Sequence, residues 1–201
     1  MDTKNQQRQK HDHGGIERQK QGVSSFDIQD SQIVFSALKL NKGNVFLDLG
    51  CGAGDYAIAA AKIVGSAGVV YALDRWKEVM SGLTEKARSC GLGNVKAIKS
   101  DVVSLLPLKD KTIDVCLIAQ VLHGLDISKA AKVLFTEIYR VLKPDGRAAI
   151  IEFKKEEVGF GPPMHIRLSP KEIEAVMAGY GFKKINLVNF SYSYLLQFGI
   201  K

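Results

Sequence analysis

One short stretch, residues 45–56, limits the folds open to this chain more than any other. It reads Val-Phe-Leu-Asp-Leu-Gly-Cys-Gly-Ala-Gly-Asp-Tyr, so an apolar run typical of a buried strand meets three glycines at alternate positions. Strong helix formers follow over residues 57–64. This pattern predicts a strand, a tight glycine turn and a helix N-terminus, which is the unit that opens nucleotide-binding α/β sheets.

Acidic side chains at the ends of the first two predicted strands indicate which ligand the glycine turn accepts. Asp48 comes just before the glycines, and Asp74 ends the apolar run 69–73. A carboxylate at the first position repels a pyrophosphate but attracts a cation. S-Adenosylmethionine has an ammonium and a sulfonium and no phosphate, and Asp74 suits its ribose hydroxyls. The alternatives are a glycine turn without a ligand and an NAD site, which Asp74 by itself would serve equally well.

The same residues carry a resemblance to a known family. Asp48-Leu-Gly-Cys-Gly-Ala-Gly54 resembles the first motif of the class I S-adenosylmethionine-dependent methyltransferases, and Leu142-Lys-Pro-Asp-Gly146 resembles a turn of that superfamily, with Asp145 replacing a glycine. Residues 153–169 are similar to small microbial methyltransferases related to the ubiquinone/menaquinone C-methyltransferases and the arsenite methyltransferases. The resemblance extends over about residues 26–200. It implies methyl transfer from S-adenosylmethionine, with S-adenosylhomocysteine as the product and no metal.

The fold expected from the periodicity is an α/β, doubly wound, mostly parallel seven-stranded sheet that ends in an antiparallel C-terminal hairpin. The predicted strands are 45–49, 69–73, 95–99, 112–118 and 147–153, with a hairpin of 184–190 and 194–200. The predicted helices are 26–40, 57–64, 77–90, 127–142 and 170–180. Residues 26–201 form one predicted domain. Residues 1–25 are polar and form a predicted flexible tail, which the resemblance makes a candidate lid over the cofactor.

The cofactor-binding residues are expected at the glycine turn and at the tips of the parallel strands, because the carboxyl ends of such strands share one edge of the sheet. Asp101 is a candidate for the adenine amine, and a turn-forming Asp is the alternative. The predicted set is Asp48, Gly50, Cys51, Gly52, Gly54, Tyr56, Asp74, Arg75, Asp101, Val102, Ala119 and Gln120.

Three further side chains are expected on the acceptor side. His123, just beyond the fourth strand, is a candidate general base or acceptor-positioning group, with a packing or helix-capping histidine as the alternative. His165 and Arg167 lie on the loop after the fifth strand, which overhangs the acceptor pocket in the family that the chain resembles. We expect His165 to assist catalysis and Arg167 to bind an acidic acceptor. The alternative for Arg167 is a surface position beside Glu156 or Glu157.

Composition restricts the partners. The net charge of +7 and the pI of about 9.2 come from basic residues that are scattered among acidic ones, so no specific nucleic-acid groove is expected. No apolar run approaches the ~20 residues of a membrane span, and no secretory signal is visible. Cys51, Cys90 and Cys116 are interpreted as reduced thiols of a cytoplasmic protein. We therefore expect a small-molecule acceptor and a monomer or homodimer. An RNA-modifying methyltransferase and a non-catalytic, cofactor-binding regulatory subunit remain the alternatives.

Overall fold

A seven-stranded sheet flanked by helices forms the body of the computed structural model, which describes residues 25–201. The predicted tail up to residue 24 lies outside the described residues. The strands are β1 Val45–Leu49, β2 Val69–Asp74, β3 Val95–Lys99, β4 Ile113–Ala119, β5 Leu142–Phe153, β6 Phe182–Asn189 and β7 Ser193–Ile200. The helices are α1 Ser25–Ile28, α2 Ser31–Leu38, α3 Asp55–Val64, α4 Lys77–Ser89, α5 Ile127–Val141 and α6 Pro170–Ala178. Two short 3₁₀ helices cover Leu122–Gly124 and Met164–Ile166.

The strand order is β3-β2-β1-β4-β5-β7-β6. Strands β1 to β5 pair in parallel, and β7 runs antiparallel to both β5 and β6. This architecture confirms the predicted fold class. The direction of winding reverses between β1 and β4, and in open α/β sheets ligands bind outside the carboxyl ends of the strands at such a point.

Two apolar clusters cover the two faces of the sheet. On one face, Leu47 and Leu49 of β1 belong to a cluster with Phe135 and Ile138 of α5. On the other face, Phe46 belongs to a cluster with side chains of α2 and α3. The central strands are therefore buried on both faces, as expected for parallel strands covered by helices. Among the helices that the structure describes, none combines the length and the apolar character needed to cross a bilayer.

The single predicted helix over residues 26–40 is wrong, because the chain breaks it into α1 and α2. Asp30 lies between them in an extended conformation, and its Oδ1 accepts hydrogen bonds from Gln32 N at 2.8 Å and Ile33 N at 3.4 Å. That is an N-cap, which starts a new helix within a continuous apolar pattern. Helix α2 then ends at Leu38, and the capping residue Lys39 has a φ of +48°.

The predicted start of the fifth strand at residue 147 is also too late. Leu142 already pairs with Ile113, and the register then shifts so that Arg147 pairs with Val115. The turn that resembles the superfamily pattern is therefore an irregularity inside β5 rather than a loop before it. A Cβ on Gly146 would lie 2.8 Å from the carbonyl oxygen of Lys143, so the irregularity requires a glycine at this position.

Candidate active site

A cleft opens at the carboxyl edge of the sheet, where β1, β2 and β4 end. It brings together residues that the sequence places far apart along the chain. The lining residues are Gly50, Asp74, Arg75, Trp76, Asp101, Val102, Gln120, Val121, Gly124 and Leu125. Most of the predicted strand-tip residues therefore converge, and Trp76, Val121, Gly124 and Leu125 are additional walls that the strand-tip pattern did not indicate.

The glycine turn is built for close packing under this cleft. Gly50 has a φ of +78°, and a Cβ at this position would lie 2.5 Å from Cγ2 of Val121. A side chain here would have to displace the cleft wall and adopt a strained backbone conformation. Both the close contact with Val121 and the positive φ therefore favour a glycine at position 50.

The amides of the turn are already bonded within the protein. Gly50 N and Cys51 N donate to the carbonyl oxygen of Leu73 at 2.8 and 3.0 Å. Gly52 N donates to Oδ2 of Asp74 at 3.0 Å, and Gly54 N donates to the carbonyl oxygen of Cys51 at 2.9 Å. Three of these bonds brace the turn against β2, and the fourth closes the turn on itself. These four amides are therefore already committed to partners within the protein.

Asp48 is a buried acid that lacks a full set of partners. The residue is 2% exposed, and its Oδ2 has no hydrogen-bond partner among the described residues. Burial raises its pKa from 3.8 to about 7, against the lowering effect of the Ala57 amide, and the charges of Asp74 and Asp55 add to the rise. A buried carboxylate in this state is stabilised by a cation that compensates its charge.

Gln120 is a second polar side chain with buried atoms that lack hydrogen-bond partners among the described residues. Neither its Oε1 nor its Nε2 has a hydrogen-bond partner in the part of the chain that the structure describes, although both atoms are buried. Its φ is +58°, which is unusual for a residue with a Cβ, and its amide N is fixed to the carbonyl oxygen of Ile151 at 2.8 Å. Strained backbone and an unpaired polar side chain at a strand tip mark a ligand-binding position.

Asp74 and its neighbours form the side of the cleft nearest β2. Besides Gly52 N, the Asp74 carboxylate accepts a hydrogen bond from Trp76 N at 3.2 Å. Because each carboxylate oxygen can accept more than one hydrogen bond, Asp74 retains capacity for two hydroxyl donors. The guanidinium of Arg75 lies 4.8 Å from the centre of the Trp76 ring. Asp101 Oδ1 accepts from Val103 N at 3.0 Å, so the turn-forming alternative for this residue is realised at the cleft wall.

Several predicted cofactor residues do not line the cleft. Tyr56 is buried instead against Phe26, with ring centres 5.1 Å apart, and its hydroxyl hydrogen-bonds to Gln29 Oε1 at 3.1 Å. Gln29 is 7% exposed, and its Nε2 has no partner among the described residues, which makes it a polar candidate that the periodicity did not reveal.

Burial raises the pKa of the Cys51 thiol well above its usual range, with Asp48 and Asp74 adding to the rise. The predicted residues outside the cleft wall are Asp48, Cys51, Gly52, Gly54, Tyr56 and Ala119.

His123 has a buried acidic partner that the sequence reading missed. Its Nδ1 lies 2.8 Å from Oε2 of Glu152, and Glu152 is 1% exposed. The other carboxylate oxygen accepts Leu122 N at 2.7 Å and His123 N at 3.4 Å. A signal for this pairing was present in the sequence, since Glu152 is a charged residue within the apolar run of β5.

His165 and Arg167 have different surroundings from those we expected. His165 is exposed on the second 3₁₀ helix. Arg167 is 5% exposed, and its guanidinium stacks 5.3 Å from the centre of the Phe153 ring. It donates hydrogen bonds to backbone carbonyl oxygens of Pro162, Lys154, Glu156 and Phe160, at 2.8, 3.1, 2.6 and 2.9 Å. A guanidinium committed to four carbonyls favours a structural role in the loop over the predicted acceptor-binding role, and the surface alternative is wrong.

The strand order, the glycine turn and the buried acid before it together define a class I methyltransferase. A family model described as "Methyltransferase domain" matches residues 40–187, and the chain belongs to this family. The family predicted from the glycine motif is therefore confirmed.

Named relatives agree with this assignment. Demethylmenaquinone methyltransferase of Lactobacillus johnsonii is 38% identical over 118 residues, which are 59% of this chain and 47% of that protein. Ubiquinone/menaquinone biosynthesis C-methyltransferase UbiE of Escherichia coli is 34% identical over 146 residues, 66% of this chain and 56% of that protein. The chain spans about half the length of the curated relatives it matches.

Solved structures also share the fold. A SAM dependent methyltransferase from Aquifex aeolicus superposes with a TM-score of 0.79 and 34% identity over 86% of this chain and 90% of that one. The [4+2]-cyclase SpnF superposes with a TM-score of 0.72 and 19% identity over 85% and 80% of the two chains. The second likeness concerns the fold alone, and SpnF is named for a reaction other than methyl transfer.

Proposed function

We propose that this chain transfers a methyl group from S-adenosylmethionine to a small-molecule acceptor. The observation that carries the proposal is the unpartnered Oδ2 of the buried Asp48 at the tip of β1. A cationic ligand supplies the positive charge that compensates this buried carboxylate. S-Adenosylmethionine, when bound, provides a methyl group on a sulfonium, and the electron pair of the broken S–C bond stays on the sulfur.

The cleft residues, together with the buried Asp48 that lies outside the cleft wall, suggest how such a ligand is held. Asp48 faces its cationic end, Asp74 accepts the ribose hydroxyls, and Gln120 supplies amide groups that have no partner among the described residues. Val102 and Val121 provide apolar walls beside Asp101 for a flat ring such as adenine. We assign the adenosyl part to this cleft on these grounds.

A dinucleotide fits the same site poorly. A pyrophosphate binds to free N–H groups at the glycine turn and the following helix N-terminus. Here the amides of Gly50, Cys51, Gly52 and Gly54 are bonded inside the protein, and Asp48 and Asp74 contribute negative charge. This arrangement favours a cationic ligand over NAD.

The acceptor class, the partners and the location of the protein are part of the same proposal. The scattered basic surface that gives the net charge of +7 favours a small molecule over a specific nucleic acid. Cys51, Cys90 and Cys116 are all unpaired, which fits the reducing cytoplasm. We propose a monomer or homodimer there. The expected lid role of residues 1–25 stays a prediction.

Calorimetry and a labelling assay test the proposal together. We expect S-adenosylmethionine and S-adenosylhomocysteine to bind and NAD to give no heat of binding. With methyl-labelled S-adenosylmethionine and a cell extract, the label should appear in the small-molecule fraction. Label that appears in the RNA fraction would favour the RNA-modifying alternative. Cofactor binding without transfer to any fraction would favour the regulatory subunit.

A further inference from the structure

Glu152 connects two strand ends through one buried carboxylate. It lies near the end of β5, and it receives Leu122 N, His123 N and the His123 ring from the 3₁₀ helix that follows β4. The side chain is 1% exposed, so water does not compete strongly for these bonds. A buried acid with these partners fixes the position of the His123 ring.

The donor and acceptor inventory determines the tautomer of His123. An ionised carboxylate only accepts hydrogen bonds, so the 2.8 Å contact between Oε2 and Nδ1 requires a proton on Nδ1. In the neutral ring, Nε2 is then unprotonated and able to accept a proton. The exposed fraction of the His123 side chain is 20%, which leaves the ring partly accessible.

We propose that Glu152 is a positioning residue that holds His123 in the Nδ1-protonated tautomer, so that Nε2 serves as the base for the methyl acceptor. This inference rests on the proposed function. His123 lies in the chain between Val121 and Gly124, which both line the cofactor cleft. The acceptor would be a molecule with an ionisable X–H group, such as a ring hydroxyl. The acceptor loses its proton to Nε2 as it bonds to the methyl group, and the imidazolium that forms lies beside the Glu152 carboxylate.

The neighbouring titratable groups do not compete for this proton. Tyr194 lies opposite Glu152 in the β5–β7 register. Its hydroxyl donates to the carbonyl oxygen of Leu168 at 2.6 Å, and burial raises its pKa well above the usual range, with the charges of Glu152 and Glu172 adding to the rise. Tyr194 therefore stays protonated and directed at a different acceptor.

The substitution Glu152→Gln gives a sharp test. The 2.7 Å bond from Leu122 N holds an acceptor at the Oε1 position, so the amide oxygen of the variant should take that place. The amide NH₂ then faces Nδ1 of His123 and requires Nδ1 to accept. The tautomer should therefore invert to Nε2–H, which removes the base without removing the histidine.

We would record ¹⁵N imidazole spectra of the full chain with S-adenosylhomocysteine, at about pH 8.5, where histidines are generally neutral. The His123→Gln variant assigns the signal. We expect the Nδ1–H tautomer in the wild type and the Nε2–H tautomer in Glu152→Gln. The matched control is Glu137→Gln, since Glu137 is also buried and accepts a backbone N–H, that of Leu106 at 2.8 Å, away from His123. It should leave the His123 signal unchanged.

The labelling assay with cell extract provides the second measurement. Glu152→Gln should lower the rate of label transfer about 100-fold, within the usual contribution of a general base, while its affinity for S-adenosylmethionine stays within twofold. An Nε2–H tautomer in the wild type, or an unchanged tautomer in the variant, would overturn the role of Glu152. The wild-type spectrum decides this even if the variant does not fold. A wild-type protein that binds no S-adenosylmethionine would instead overturn the proposed function.

Discussion

Asp48 and Glu152 are two buried carboxylates at the same edge of one sheet, and they differ in their partners. Glu152 receives two backbone N–H groups and an imidazole, whereas Oδ2 of Asp48 has no partner among the described residues. Burial of an unpaired polar group costs free energy that a folded protein recovers only when a ligand arrives. Asp48 therefore keeps an oxygen for which we propose a ligand as partner. The partners of Glu152 lie within the protein, and its carboxylate orients them.

The largest expected effect is the loss of cofactor affinity in Asp48→Ala. Removal of the buried charge that faces a cationic ligand should weaken S-adenosylmethionine binding by about 3 kcal/mol or more, which is over 100-fold. Isothermal titration calorimetry measures it. Asp145→Ala, which removes an exposed acid, is the control and should bind normally. An affinity within threefold of the wild type for Asp48→Ala would contradict the assignment of the cationic end.

Arg167→Met should have the next largest effect, and on stability rather than on binding. The variant keeps an apolar stem but loses the hydrogen bonds to four backbone carbonyls, a cost of about 2–3 kcal/mol in the free energy of unfolding. Urea denaturation measures this, with Arg88→Met on the exposed face of α4 as the control. Cofactor affinity should change less than twofold. If Arg167→Met instead left stability intact and weakened transfer of the methyl group, Arg167 would return to the acceptor side.

Asp48→Asn should stabilise the protein without ligand while it impairs binding. The pKa of Asp48 is raised from 3.8 to about 7 in the folded state, so the ionised side chain destabilises the fold increasingly as the pH rises from about 4 to 7. That cost is fully present above pH 7 and absent below pH 4. Because the new amide also lacks partners, we expect a net gain of about 1–2 kcal/mol at pH 8.

Thermal unfolding of the wild type and Asp48→Asn between pH 4 and 8 measures this difference. The gap between the two proteins should open as the pH rises. Equal midpoints at every pH would mean that the Asp48 carboxylate is already compensated inside the protein, and the contrast with Glu152 would disappear.

The residues that we propose for the cofactor could be singled out from the sequence because their signals are local. The alternating glycines, Asp48 before them and Asp74 at the next strand tip lie within one strand–turn–helix–strand unit, and the fold class followed from the same unit. What the pattern could not show is that most of the turn amides bond back to Leu73 and Asp74, because hydrogen-bond partners are not visible in periodicity.

The surroundings of the residues expected on the acceptor side were less predictable because they depend on contacts between distant segments. Glu152 meets the histidine 29 residues before it, and Arg167 reaches back to carbonyls as far as residue 154. The burial of Arg167 was not predicted because a loop arginine was expected to be exposed, whereas this loop folds around it. The break between α1 and α2 was missed for a related reason, since the Asp30 cap does not interrupt the apolar pattern.

The proton balance of cofactor binding tests the central claim most directly. If Asp48 has a pKa of about 7 in the free protein and faces the cation in the complex, S-adenosylmethionine should bind to the ionised form and displace the proton. Calorimetry at pH 6 in buffers of different ionisation enthalpy should then detect release of about 0.9 proton per site. The α-amino group of the ligand stays charged at pH 6, so it does not contribute. Asp48→Asn should release none at a ligand concentration that saturates it. Binding by the wild type with no proton release at pH 6, or equal release in Asp48→Asn, would contradict the account.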